Sequence, residues 1–233
     1  MINTYVSIDL ETTGLNPKLD KIIEIGAVKV IDGKLQEPFD TLVNPGRKLE
    51  ERIVELTGIT DAELKDAPYM DEVFPKFMEY LEELPLLGHS VLFDYSFLKK
   101  EAVNRKVPFE RQGIDTLRIA RRYLPNLESR SLGFLCTHFG IPHKAHRAYE
   151  DALATSRLYE RLTQEYYNEE EGLFSPSPLL FKIKKDSPAT NAQKERLYRL
   201  ILQHNIEEAP DVEQMTRSEA SRYTDRIFAT YGR

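Results

Sequence analysis

SIDLETTGL, residues 7–15, closes an apolar run with two carboxylates, Asp9 and Glu11, two positions apart. In an extended strand alternate side chains share a face, so Ser7, Asp9 and Glu11 project to one side and Val6, Ile8 and Leu10 to the other. Two like charges converging on one strand end repel, and a divalent cation between them relieves the repulsion. Hard oxygen donors of this kind suit Mg²⁺ or Mn²⁺. A pair of solvated acids is the alternative for D-x-E taken alone, so other carboxylates must decide.

Outward from this stretch the pattern is that of an α/β protein. TYVSIDL (4–10), KIIEIGAVKVI (21–31) and PFDTLVN (38–44) read as three strands of an opening meander, with Asp32-Gly33 as a hairpin signal between the second and third. VFPKFMEYLEE (73–83) then spaces Val73, Phe77 and Leu81 helically, LPLLGH (84–89) is a short buried strand, and YSFLKKEAVNR (95–105) a second helix. QGID with TLRIARRYL, then SLGFLCTHFG and the long run from Tyr149, complete a mixed α/β domain over residues 1–171. Residues 172–188, rich in proline and charge, read as a linker. Residues 189–233 read as a small helical hairpin, marginal alone, whose second helix opens with a capping box from Thr216 to Glu219.

Further candidates lie beyond the second apolar strand and before the long helix. Asp94 is expected just past LPLLGHSVLF, in the loop entering the next helix, where ligand sites of α/β sheets collect; a helix cap is its plainer role. In HKAHRAYEDALATS (143–156), His146 precedes a helix and Asp151 lies on its first turns, beside Ala148, Ala152 and Ala154. His146 and Asp151 share a site only if the histidine bends inward from the loop.

DLETTG, HSVLFD and HRAYEDA, in this order and spacing, resemble the three motifs of the DEDDh 3′–5′ exonuclease family, the DnaQ-like group of the bacterial DNA polymerase III epsilon subunit, ribonuclease T and oligoribonuclease. The resemblance covers about residues 3–168. It implies a ribonuclease-H-like fold with a mixed five-stranded sheet and hydrolysis of a strand from its 3′ end with two divalent metal ions. The family's four acids and histidine fall on Asp9, Glu11, Asp94, Asp151 and His146. By the same resemblance Asp9 bridges two ions, Glu11 and Asp151 hold the one carrying the nucleophilic water, Asp94 acts on the second, and His146 is the general base, a role its near-neutral titration suits. On the substrate side, the backbone around Thr12 and Thr13 meets the terminal 3′-hydroxyl, Leu15 wedges under the last base, Gly14 makes the tight turn, and Phe93 packs beneath the metal site. Many relatives carry Asn where Ser90 follows His89, which bears on substrate preference rather than on the metal site.

The remaining residues are read more plainly. His89 is a supporting residue, His143 belongs to an exposed loop, Asp115 caps a helix and Cys136 is a small core residue. Arg118, Arg121, Arg122, Arg130 and Arg147 offer positive charge around the third motif for phosphates. The net charge of −6 is uneven: from Ser175 onward ten Lys or Arg face eight Asp or Glu, which leaves the first 174 residues at −8. Broad electrostatic adhesion to nucleic acid is thereby disfavoured, but not an acidic site built for metal ions. One cysteine excludes an internal disulfide, no apolar run reaches the ~20 residues of a membrane span, and no signal peptide precedes the first strand, so a cytoplasmic protein is expected. The substrate expected is a single-stranded or frayed DNA 3′ end. An exoribonuclease of the same fold, or a non-catalytic nucleic-acid or polymerase docking module, is the alternative. A DNA polymerase is one expected partner, and a sliding clamp, loosely echoed by GLF and PLLF in the linker, another.

Overall fold

The alternation of the first thirty residues becomes two long antiparallel strands, β1 (Tyr5–Thr12) and β2 (Ile22–Ile31), paired from Tyr5 opposite Val30 to Thr12 opposite Ile22 with an irregularity between Glu11 and Thr12. The computed structural model describes residues 2–144, 147–207 and 209–232. Asp32 and Gly33 both take positive φ, 49° and 74°, as a two-residue hairpin turn demands. That turn leads into a two-residue strand, β3 (Lys34–Leu35), absent from the sequence reading. The expected third strand follows as β4 (Phe39–Leu42), which pairs with the other half of β2.

Two short helices, α1 (Glu51–Thr57) and α2 (Asp61–Lys65), precede α3 (Met70–Leu81). Next come β5 (Leu86–Gly88), α4 (Val91–Arg105), β6 (Gln112–Asp115), α5 (Thr116–Tyr123), α6 (Leu132–Phe139) and the long α7 (Ala148–Tyr166). β5 runs parallel to β1 and to β6, so the sheet is mixed. The expected five strands are those of three residues or more; the two-residue strands β3 and β7 (Ser177–Pro178) make the sheet seven-stranded.

Each face of the sheet buries its own core. Val6, Ile8 and Leu10 pack with Phe74 and Phe77 of α3 and with Tyr95 and Leu98 of α4. The opposite face sets Tyr5, Val28 and Val30 against Ile119 of α5, Leu135 of α6, and Ala152, Leu158 and Leu162 of α7. Cys136 is buried, as expected.

Residues 172–188 are not a free tether. β7 pairs antiparallel with β6, and Phe174 and Leu179 are buried in the two cores. Phe174 of the GLF peptide and Leu179 of the PLLF peptide are thus held inside the domain, while Leu180 is exposed. Beyond them α8 (Asn191–Gln203) and α9 (Arg217–Tyr231) form the helical pair with a core of Leu197, Leu200, Val212, Met215, Ala220 and Ile227. Capping boxes at Thr190 and Thr216 start the two helices. Among the described residues no helix is long and apolar enough to cross a membrane.

Candidate active site

The face of β1 that carries the acids is covered by α7, and the two are matched residue for residue. Tyr5 Oη lies 3.0 Å from Ser156 Oγ, and Ser7 Oγ donates to Ala152 O at 2.7 Å. Two strand residues advance about 6.6 Å and four helix residues about 6 Å, so each step along β1 meets the next turn of α7. Small side chains at Ala148, Ala152 and Ser156 let the backbones approach. At Gly26 of β2 they touch, since a Cβ there would fall 2.0 Å from the carbonyl carbon of Ala148.

One step farther along, the match brings charge to charge. Asp9, Glu11 and Asp151 each offer a carboxylate oxygen, all within 4.8 Å of one another. Asp94 comes from the other side of β1. It stands not in the loop expected for it but in the first turn of α4, buried, because β5 ends at Gly88 and the chain turns directly into the helix through Ser90 at φ 78°. There Asp94 Oδ1 accepts from Leu10 N at 3.1 Å, on the edge of β1 that β5 has left.

The electrostatics follow from this crowding. Burial, then the charges of Asp94, Asp151 and Glu11, push Asp9 well above the ordinary carboxylate range. Burial and then Asp151 and Glu24 raise Glu11 to about 7, and Asp94 is raised chiefly by burial. Acids that resist ionisation only because they are desolvated and crowded are what a divalent cation would relieve, so the donor set fits such an ion.

Glu24 and Arg147 hold this arrangement together. Glu24, directly opposite Glu11 and buried, accepts from Arg147 Nε at 2.9 Å and Nη2 at 2.7 Å through one oxygen, and from Ala148 N at 3.0 Å through the other. The helix that bears Asp151 is thereby fixed at its first residue. Sequence reading passed over Glu24; its signal was an acid inside the otherwise apolar run IIEIGAV. His143, expected in an exposed loop, is instead largely buried and hydrogen-bonded through Nε2 to Asp151 Oδ1. His146 lies outside the described residues.

The second motif's neighbours have supporting roles. His89 bonds Thr116 Oγ1 at 2.9 Å and Arg130 O at 2.8 Å, and its burial lowers its pKa. Asp115 caps α5 and also accepts from Ser90 N at 3.0 Å, which pins the entry to α4. Ser90 itself takes left-handed backbone, φ 78°, a conformation that asparagine adopts more readily than serine. Of the five arginines, Arg147 pairs with Glu24, Arg122 with Glu171 and Arg130 with backbone carbonyls, while Arg118 and Arg121 are exposed on α5.

The substrate-side candidates lie at the end of β1. Thr12 and Thr13 are buried, and Thr12 Oγ1 donates to Gly14 O at 2.6 Å. Leu15 is 84% exposed, so it is no core residue. Phe93 packs on Phe97 at a centroid distance of 5.1 Å, against the core that includes Leu10 and Val91. Gly14 is needed for close approach rather than for positive φ, since a Cβ there would lie 2.5 Å from Asp20 Oδ2.

Comparison with known proteins gives consistent likenesses. The family model of RNase_T, described as exonuclease, matches residues 6–159. A PolC-type DNA polymerase III of Clostridium perfringens is 41% identical over 155 residues, 66% of this chain but 11% of that protein. The chain thus spans only about a ninth of the length of this relative. The DNA polymerase III subunit epsilon of Aquifex aeolicus is 37% identical over 166 residues, 70% of this chain and 82% of that one. Among solved structures, exonuclease X in complex with 5′ overhanging duplex DNA superposes with a TM-score of 0.58 at 28% identity, covering 71% of this chain and 95% of that one.

Proposed function

Since the chain belongs to the RNase_T exonuclease family, we propose that it removes nucleotides from the 3′ end of single-stranded or frayed DNA, as a proofreading or repair nuclease. The observation that carries this reading is the convergence of Asp9, Glu11 and Asp151 within 4.8 Å beside Asp94. Asp9, Glu11 and Asp151 would hold Mg²⁺ or Mn²⁺, with Asp94 serving a second ion. When bound, such ions neutralise the phosphate and lower the pKa of water.

The chain's own residues do the rest. The Thr12–Thr13 backbone receives the terminal 3′-hydroxyl and exposed Leu15 lies under the last base, fixing which phosphodiester faces the acids. Glu24 and Arg147 keep Asp151 in place. His146 takes the proton from the attacking water as its oxygen bonds to phosphorus; the bond from phosphorus to the 3′-oxygen breaks and that oxygen takes a proton from solvent, leaving a 3′-hydroxyl on the shortened strand and a 5′-mononucleotide. The relatives' names favour DNA and a DNA polymerase as partner, and with them a cytoplasmic location.

Digestion of 5′-labelled single-stranded DNA and RNA of matched sequence, with Mn²⁺ or EDTA and beside Asp9→Ala, tests the reading. A ladder shortening from the 3′ end of DNA, abolished by EDTA and by the substitution, is expected. Preferential loss of RNA would favour the exoribonuclease alternative, and no cleavage of either would favour a docking role. His146→Ala should slow cleavage by about 10²- to 10⁴-fold while leaving Mn²⁺ binding intact.

A further inference from the structure

The helical module at residues 189–233 has so far no part in the site, yet it reaches the loop that follows β1. On α9, Arg222 Nη2 donates to Leu19 O at 3.1 Å, and its other nitrogen lies 3.9 Å from Asp20 Oδ1. Arg47, from the segment after β4, approaches the same two groups: Nη1 donates to Leu19 O at 3.1 Å and Nη2 to Asp20 Oδ1 at 3.2 Å. A third contact joins Lys21 Nζ to Glu219 Oε1 of α9 at 3.6 Å.

The atoms so gripped are those that shape the loop. Asp20 Oδ2 accepts from Asn16 N at 3.0 Å and lies where a side chain at Gly14 would be. Arg47 also donates to Thr13 Oγ1, which in turn accepts from Lys21 N at 3.0 Å. Thr13 N donates to Lys21 O at 2.9 Å and Asp20 N to Asn16 O at 2.8 Å, closing the loop at both ends. At its tip stands Leu15, 84% exposed. Two guanidinium groups sharing one carboxylate repel each other, and burial together with the Arg222 charge lowers the pKa of Arg47. Such a pairing is retained because both forks find fixed acceptors on the loop.

We propose that the C-terminal helical module braces the substrate loop: Arg222, acting with Arg47 on Leu19 and Asp20, fixes residues 13–20 so that Leu15 and the Thr13 backbone are preset for the terminal nucleotide of a DNA strand. Arg222 is thus a positioning residue. The proposal rests on the 3′-exonuclease reading above, because it assigns the braced loop to binding of the strand end. An ordered loop binds its ligand without the cost of being ordered at that moment, so loss of the brace falls on binding rather than on chemistry.

The test compares the full chain with Arg222→Ala, Arg222→Lys, Leu15→Ala and the Arg222→Ala/Leu15→Ala double variant. Two readouts are taken: steady-state cleavage of a 5′-labelled single-stranded DNA with Mn²⁺, and amide hydrogen exchange over residues 13–21 in the metal-free protein. Arg222→Ala should raise KM and loop exchange each about three- to tenfold, the loss of one or two charge-assisted hydrogen bonds, with kcat nearly unchanged. Arg222→Lys should recover part of both effects. The double variant should bind little worse than Leu15→Ala, because both changes disable one loop. Unchanged KM and exchange in Arg222→Ala would overturn the proposal. So would a full further loss on top of Leu15→Ala with exchange over residues 13–21 no higher than in Leu15→Ala, which would mean that Arg222 touches the strand itself. A wild-type chain that releases no nucleotides would sink the exonuclease reading instead, and the exchange measurement would still decide whether the module braces the loop.

Discussion

Burial and crowding raise the pKa of Asp9 and of Glu11, and this has a measurable cost in stability. A carboxyl group whose folded pKa lies above its unfolded one keeps a proton that the unfolded chain has released, so folding loses stability as pH rises between the two values. For Glu11 the window runs from its ordinary value of 4.5 to about 7, and Asp9 and Asp94 shift in the same direction. The melting temperature of the metal-free protein should therefore fall between about pH 5 and pH 7.5, and Mn²⁺ should raise it most at the upper end, where it competes with fewer protons. Asp9→Asn should raise the metal-free melting temperature and flatten that slope. A flat wild-type profile in EDTA would contradict the crowding of these acids. The D-x-E pair was legible because strand alternation leaves no choice of face. Asp94 was legible as a residue but not in its place, since nothing local says that β5 stops at Gly88 and the helix begins at once. His143 was misread because Pro142 and Lys144 argue for solvent, whereas its partner, Asp151, is set by the tertiary path of the loop.

At the scale of elements the site depends on how closely α7 lies on β1 and β2. Gly26 sits against Ala148, and Glu24 binds the first turn of the helix. Gly26→Ala places a methyl group against backbone that cannot turn aside as a side chain would. It should destabilise the fold by about 1–3 kcal/mol in urea unfolding, and it should weaken Mn²⁺ binding, because Asp151 moves with α7. Glu24→Gln keeps the volume but leaves Arg147 without its counter-charge, and should cost about 1–3 kcal/mol with a matching loss of Mn²⁺ affinity. Either variant with wild-type stability but weakened metal binding would mean that the helix is held elsewhere and these residues act on the ion. The long elements were readable because each carries its own periodicity over several turns or alternations. The short ones were not. β3 and β7 have two residues each, and α1 and α2 have seven and five, so they exist through neighbours rather than through pattern.

Across the whole molecule, prolines and charges at residues 172–188 suggested a tether, and its attachment was hidden in a residue far away. Lys100, on α4, is 5% exposed, and a buried ammonium group requires a counter-charge. It finds one in Asp186, which also accepts from Asn104 Nδ2 at 2.9 Å, while Lys184 O accepts from Lys100 Nζ at 3.1 Å. Two residues farther on, Pro188 bridges to Thr216, the cap of α9, so this anchor fixes where the helical module begins. Asp186→Asn should leave Lys100 buried beside a neutral amide at a cost of about 1–3 kcal/mol. It should also free the backbone around Lys182, Lys184 and Lys185, so limited trypsin digestion should cut there sooner than in the wild type, before the α/β core is lost. Exchange at residues 13–21 should rise with it, because α9 then meets the loop from a looser mount. If trypsin cuts sooner while loop exchange stays at the wild-type rate, the contacts of Arg222 and Lys21 alone set the position of the module, and its attachment at Asp186 serves only to protect the chain.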